Sequence, residues 1–233
     1  MRHPILTALA ALLLALGLSG AANAGPFEDA VAAHGRGDYA TALRLWQPLA
    51  DQGNVDAQYK LGVMFANGLG VPQDDVQAVK WFRLAADHGH AGGQFFLGNR
   101  YRTGQGVPQD DVQAMKWYRL AADQGLAQAQ FNLGVMYDDG RGVPQDDVQA
   151  VQWYRLAADQ GHARAQLNLG VMFGTGQGVK QDHVQAHKWF SLAGTGGMED
   201  GWKGRDILAK QMTPAQIVEA QRLARAWQPK LAQ

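Results

Sequence analysis

Apolar residues along most of this chain follow a helical rhythm interrupted by short glycine-rich loops. Over residues 127–138, Ala129, Leu133, Met136 and Tyr137 recur at spacings of three and four, which predicts a helix with one apolar face. The loop GRGVPQD follows at residues 140–146. Ala150, Trp153, Tyr154, Ala157 and Ala158 then form a second apolar stripe, predicting a helix over residues 147–159 that Gly161 ends. The punctuation agrees with this reading. Gly140 and Gly142 supply the positive backbone angles that stop one helix and turn the chain. Pro144 disfavours helix just before it, and Asp146 is a good N-cap with Gln149 in capping-box register. Asp147 in the first turn complements the positive end of the helix dipole.

The same helix–loop–helix pattern returns every 36 residues. Trp81, Trp117, Trp153 and Trp189 keep that step, as do the pairs Leu61-Gly62, Leu97-Gly98, Leu133-Gly134 and Leu169-Gly170. Residues 90–125 and 126–161 are identical at 25 of 36 positions. A glycine inside a helix costs about 1 kcal/mol relative to alanine. Its return in every unit therefore marks a place where another helix passes too close for a side chain. One helix pair cannot bury both of its faces, but stacked pairs share a continuous core. The tryptophans recur in phase with the alanines they should pack against and are read as core. The expected organisation is repeats at 54–89, 90–125, 126–161 and 162–197. A shorter N-terminal cap or degenerate repeat covers 25–53, and capping helices cover 198–233. Within that last segment, residues 214–228 read as an amphipathic helix, with Thr213 as N-cap and Pro214 in the first turn.

The run A-x-x-x-L-G-x-M-Y-x-x-G-x-G-V-x-Q-D-x-x-x-A-x-x-W-Y-x-x-A-A-x-x-G, over residues 129–161, resembles the Sel-1-like repeat. The resemblance implies an all-α, right-handed superhelical solenoid of antiparallel helix pairs, related to tetratricopeptide solenoids and used as a protein-binding scaffold. Secreted bacterial proteins of this kind are associated with envelope assembly, host interaction and signalling. A cysteine-rich branch is linked to β-lactam binding or hydrolysis, and this chain has no cysteine.

The first 24 residues follow a different logic. Arg2 and His3 precede a mainly apolar run over residues 5–18, and Ala22-Asn23-Ala24 places small residues around a cleavage point. These are the parts of a secretory signal peptide, too short for a spanning helix of about 20 residues. The expected mature chain starts at Gly25 and is periplasmic or secreted. No later segment is a membrane span.

Composition narrows the chemistry. The 21 basic and 21 acidic residues give no net field for nucleic acid, and the lack of cysteine excludes disulfides, thiolate metal sites and a cysteine nucleophile. Glycine, 29 residues of 233, exceeds the usual share of about 7%, and the turns and close helix contacts account for it. Beyond the leader the one serine, Ser191, lacks an S-x-x-K or G-x-S-x-G context. His183 and His187 share a helix face at i, i+4 spacing without an H-E-x-x-H motif, and read as ordinary surface histidines. The G-x-G loops lack the strand, third glycine and lysine of a nucleotide-binding loop. Asp138-Asp139 and Asp146-Asp147 gather too few oxygens for calcium. No catalytic residue, cofactor or metal is assigned.

Positions that vary between near-identical units are free to carry specificity. On the first helices, which the resemblance places on the concave surface, these include Lys60, Phe96, Asn132 and Asn168 at one register and Asn99 at another. Arg100 replaces a methionine. Its guanidinium is a candidate anchor for a carboxylate or acidic segment, with a solvated or salt-bridged arginine as the alternative. The expectation is a non-catalytic scaffold for another protein or peptide. An envelope hydrolase or glycan- or β-lactam-binding protein is the alternative, and self-association is a third possibility.

Overall fold

The computed structural model describes residues 25–230, so the leader expected over residues 1–24 lies outside the described residues. Those described form twelve α-helices and no strand. The helices are α1 (Pro26–Gly35), α2 (Tyr39–Asp51), α3 (Val55–Asn67), α4 (Asp75–Asp87), α5 (Ala91–Thr103) and α6 (Asp111–Asp123). They continue with α7 (Ala127–Asp139), α8 (Asp147–Asp159), α9 (Ala163–Thr175), α10 (His183–Thr195), α11 (Glu199–Ala209) and α12 (Pro214–Ala226). Helices α1 to α11 pack mainly on their chain neighbours, and α12 packs on α10 rather than on α11. The result is an all-α, right-handed solenoid of antiparallel helix pairs.

Local chemistry sets the element ends. Asp74, Asp110, Asp146 and Asp182 each accept, through Oδ1, the backbone N–H three residues on, at 2.9–3.0 Å. An N-cap of this kind contributes about 1 kcal/mol. The reciprocal half of a capping box, expected from Gln149, is absent there and both halves occur in α12, between Thr213 and Gln216. The two loop glycines have different tasks. Gly140 takes the left-handed conformation that ends α7 (φ 69°). A Cβ on Gly142 would stand 2.6 Å from the backbone oxygen of Asp111, because the loop presses on the start of the preceding unit's α6.

Within each pair an aromatic ring of the second helix lies flat on the bare backbone of the first. A Cβ built on Gly98 would fall 2.8 Å from the Tyr118 ring, and one on Gly170 would fall 2.7 Å from the Phe190 ring. Gly62 and Gly134 meet Phe82 and Tyr154 in the same way. Phe82, Tyr118 and Tyr154 are essentially fully buried. Around them pack the alanine stripe and the repeat tryptophans, Trp81, Trp117, Trp153 and Trp189, all of them buried.

A second periodic contact ties unit to unit. Gln58, Gln94, Gln130 and Gln166 are buried, and each donates from Nε2 to a carbonyl at the end of the preceding helix, that of Ala50, Ala86, Ala122 or Ala158 (3.1–3.3 Å). Each of these carbonyls also accepts the backbone N–H of the glycine three residues on (2.9–3.0 Å), so the amide is a second donor to an oxygen with two lone pairs and ties the start of one unit to the end of the one before it. In two units the glutamine also accepts from the residue that ends the second helix of its own unit, Gln94 from Gln124 and Gln130 from Gln160, both at 2.8 Å.

The histidine reading needs a correction. His187 is 2% exposed, not a surface residue, because it occupies the register of Val79 and Val151 and faces the interior beneath the C-terminal helices. Burial, reinforced by the charge of Arg205 and opposed by Asp206, holds its pKa below the ordinary value. The folded pKa thus lies below the unfolded one, near 6.5, so the unfolded chain takes up more protons as the pH drops.

Two outcomes are expected. The Gly170→Ala variant loses about 1–2 kcal/mol, since overpacking outweighs the gain in helix propensity. In the same helix Gly174→Ala, whose Cβ meets nothing closer than 3.7 Å, gains a few tenths to about 1 kcal/mol. Urea unfolding followed by circular dichroism checks both signs. The His187 contribution is fully present above about pH 6.5 and is lost as the pH falls below it. Relative to wild type, His187→Val therefore has a melting temperature that declines less between pH 7.5 and pH 5.5, as thermal scans at the two pH values would show.

Candidate interaction surface

The odd-numbered helices α3, α5, α7 and α9 are built on one pattern, with Leu and Gly turned to the second helix and the residues just before them left half-buried. Those half-buried positions carry rings. Tyr59 stacks on His90 (centroids 4.5 Å apart) and Phe131 on His162 (4.6 Å), one unit's ring against the next unit's N-cap in each case. Both histidines accept a backbone N–H through Nδ1, His90 from Gly93 (2.9 Å) and His162 from Ala165 (3.2 Å). Burial lowers both of their pKa values. Neutral His90 then carries its proton on Nε2, where Asp56 Oδ1 accepts it at 3.3 Å, so this contact is a hydrogen bond before it is an ion pair.

The character of the surface changes along the solenoid. Near the N-terminal end it is aromatic: Phe96 stacks on Phe82 (5.2 Å) and leans on Tyr59 (6.0 Å), with the Lys60 ammonium 5.6 Å from the Tyr59 ring centre. In the middle, phenols replace phenylalanine. The Tyr118 hydroxyl donates to Asn99 Oδ1 (2.7 Å) and accepts from Arg102 Nε (3.3 Å), with the Asn132 amide of the next unit beside it. One unit on, Tyr154 donates to Asp138 Oδ2 (3.1 Å), and Asn168 stands beside its phenol. Burial raises the pKa of both tyrosines and of Asp138. The phenols therefore stay protonated as donors. A cleft of about 330 Å³ opens where three successive odd-numbered helices meet, and Phe95, Gln128, Phe131, Asn132, His162 and Arg164 line it.

Of the residues singled out by comparing the units, Lys60 and Phe96 meet at Tyr59, Asn99 and Asn132 meet at Tyr118, and Asn168 belongs to the Tyr154 group. Arg100 stands apart. Its side chain is 11% exposed, and Nη1 donates to Asp75 Oδ1 (2.7 Å) and Gln105 Oε1 (3.0 Å) at the loop edge. It occupies the register of the buried Met64, Met136 and Met172, so only its tip reaches a polar partner. The salt-bridged alternative describes it. The reading by variation missed Tyr59, Phe95, Phe131, His90 and His162. Their signal was available: three rings at one register, with a histidine 31 residues after two of them.

Catalytic parts do not gather here. Ser191 Oγ donates to the backbone oxygen of His187 (2.8 Å) rather than to a base. Among the described residues no three His, Asp or Glu side chains cluster as metal ligands, and no helix is long and apolar enough to cross a membrane.

A family model described as Sel1 repeat matches residues 33–54, 55–90, 91–126, 127–162 and 163–198. A search of curated proteins finds no match. Among solved structures the chain is similar to a Sel1 repeat protein from Oxalobacter formigenes, at 28% identity and a TM-score of 0.73, over 88% of this chain and 87% of that one. It is also similar to c5321, a protective antigen present in uropathogenic Escherichia coli strains displaying an SLR fold, at 32% identity and a TM-score of 0.57. That alignment covers 89% of this chain and 53% of the other, so this chain spans about half the length of that relative. Sel1 repeat proteins are in general non-catalytic protein-interaction scaffolds. With matched segments running from residue 33 to residue 198, the chain belongs to the Sel1 repeat family.

Proposed function

We propose that this protein works outside the cytoplasm as a display scaffold, binding another protein or a peptide along the concave face made by its odd-numbered helices. The observation that carries this reading is the cleft shared by α5, α7 and α9, where Phe95 and Phe131 supply apolar contact beside Asn132, Gln128 and Arg164. The stacked rings and capping histidines already hold their positions, so binding orders few side chains of the scaffold and that part of the entropic cost of an interface is small. Arg164 donates to no acceptor among the described residues. It is the cation best suited to an acidic segment of the partner, a role Arg100 cannot fill while Asp75 and Gln105 occupy it. The leader pattern of residues 1–24 supports delivery to the periplasm or beyond.

Two measurements test this. Protein recovered from the envelope or medium should begin at Gly25 by N-terminal sequencing, and retention of Met1 would sink the extracytoplasmic reading. Tagged residues 25–233, crosslinked in the native envelope, should recover a partner that a Phe131→Ala, Arg164→Glu variant binds about tenfold or more weakly, since loss of an aromatic anchor and a charge reversal together exceed about 1.4 kcal/mol. An Arg100→Met variant should bind as wild type. Equal recovery by all three would move the site off the concave face, and self-association alone would appear by light scattering as a change of mass.

A further inference from the structure

The last full unit departs from the repeat at two places that together shape one cavity, one lining it and one admitting a ring that does. Position 191 holds serine where the earlier units hold Arg83, Arg119 and Arg155, and position 194 holds glycine where they hold Ala86, Ala122 and Ala158. In the earlier units the arginine reaches forward over an aromatic ring of the next unit, as Arg83 does to the Tyr101 hydroxyl, Arg119 to Tyr137 (2.8 Å) and Arg155 to the Phe173 ring (5.4 Å). Ser191 is too short to do this, and its hydroxyl turns back to its own helix. Gly194 leaves room for the indole of Trp202, which stands in α11 at the register of the repeat glutamine and would collide with a Cβ there.

The space left open is a cleft of about 460 Å³ between α10, α11 and α12, lined among others by Ser191, Trp202, Arg205, Gln221, Arg225 and Trp227. Trp202 and Trp227 supply flat apolar walls. The Trp227 wall is held in place: Lys230, three residues on, is bound to Asp159 through both its backbone N–H and its ammonium, each at 2.7 Å. The charged residues that line the cleft are both arginines, and no carboxylate lines it. Arg205 lies over the Trp202 ring (4.6 Å) and is paired with Asp206 (2.6 Å). Arg225 donates to no acceptor among the described residues. Gln221 and Arg225, four apart on α12, project into the cleft together.

We infer that this cleft is a ligand site for an apolar carboxylate, with the aromatic or aliphatic body between Trp202 and Trp227 and the carboxylate against Arg225. A guanidinium that donates to no acceptor among the described residues, beside a slot walled by two indoles, favours that combination over a neutral apolar molecule or a cation. The site is separate from the concave face and does not depend on the scaffold reading.

The test uses residues 25–233 labelled with nitrogen-15 and naphthalene-2-acetate as the probe, with its neutral amide as the comparison. Saturable shifts of the Trp202 and Trp227 indole N–H signals are expected, with a Kd of about 0.1 mM for a probe of this size. The amide should bind about tenfold or more weakly, and so should the carboxylate to Arg225→Glu, given the strength of a charge-assisted contact. Ser191→Arg, which restores the side chain of the other units, should close the slot and abolish the shifts. Arg225→Glu alters a solvent-facing side chain and keeps the test open if Ser191→Arg fails to fold. Asn132→Ala, on the concave face, should leave the Kd unchanged. Absence of saturable shifts, equal affinity for the amide, or binding untouched by Arg225→Glu would each overturn the proposal.

Discussion

The packing of one aromatic ring on one glycine in each helix pair is the constraint on which the remaining geometry depends. With no Cβ at Gly62, Gly98, Gly134 and Gly170, the second helix comes close enough for Phe82, Tyr118, Tyr154 and Phe190 to lie on bare backbone. That contact fixes both the rotation and the height of the second helix against the first. Once those are set, the tryptophan and alanine stripe has one way to face the next unit. The capped start of the following helix then falls where its histidine can meet the ring of the preceding unit. The helix-propensity cost of the glycine, about 1 kcal/mol, is offset by burial of a large ring, worth about 1.5–3 kcal/mol.

The same contact makes the outer end of the ring chemically useful. Phenylalanine and tyrosine fill the slot equally well, because the hydroxyl emerges past the glycine on the side of the odd-numbered helices. At Phe82 the exit is apolar, and Phe96 covers it. At Tyr118 and Tyr154 it is polar, and Asn99, Arg102, Asn132, Asp138 and Asn168 collect around it. The phenol oxygen of the core ring thus gives the groove amides and carboxylate a hydrogen-bond partner, while the stack beneath stays the same.

Periodicity made the helices, their caps and the glycine contacts legible in the sequence, since each of these is a local pattern repeated every 36 residues. The residues between 127 and 159 show this best, with α7 and α8 lying where the apolar spacing and Asp146 put them. What stayed hidden depended on the neighbouring unit. Gln58 and its equivalents look like surface amides until the preceding helix end is placed over them. His187 looks exposed beside His183 because their i, i+4 spacing says nothing about α11 and α12 covering it. Helix α11 was obscured by Gly201 and Gly204, residues that weaken a helix by propensity but let it cross α10 closely. A Cβ on Gly201 would lie 2.6 Å from the Gly194 nitrogen.

A stack of this kind also limits where novelty can enter. An internal unit presents one face to the unit before it and another to the unit after it, so an altered core residue must satisfy two neighbours at once. The groove face escapes that condition, and so does the last unit, whose outer neighbour is no longer a repeat. Both regions show the effect. Groove residues such as Lys60, Phe96, Asn132 and Asn168 vary at one register while Leu61, Leu97, Leu133 and Leu169 beside them do not. At the C-terminal end, the repeat arginine, alanine and glutamine become Ser191, Gly194 and Trp202 together, and the three substitutions fit one another. Serine opens space, glycine admits the indole, and the indole walls the space that serine opened. A set of changes that are each unfavourable in the repeat but compatible as a group acts as one structural unit, and its surface is the tryptophan-lined cleft at the C-terminal cap.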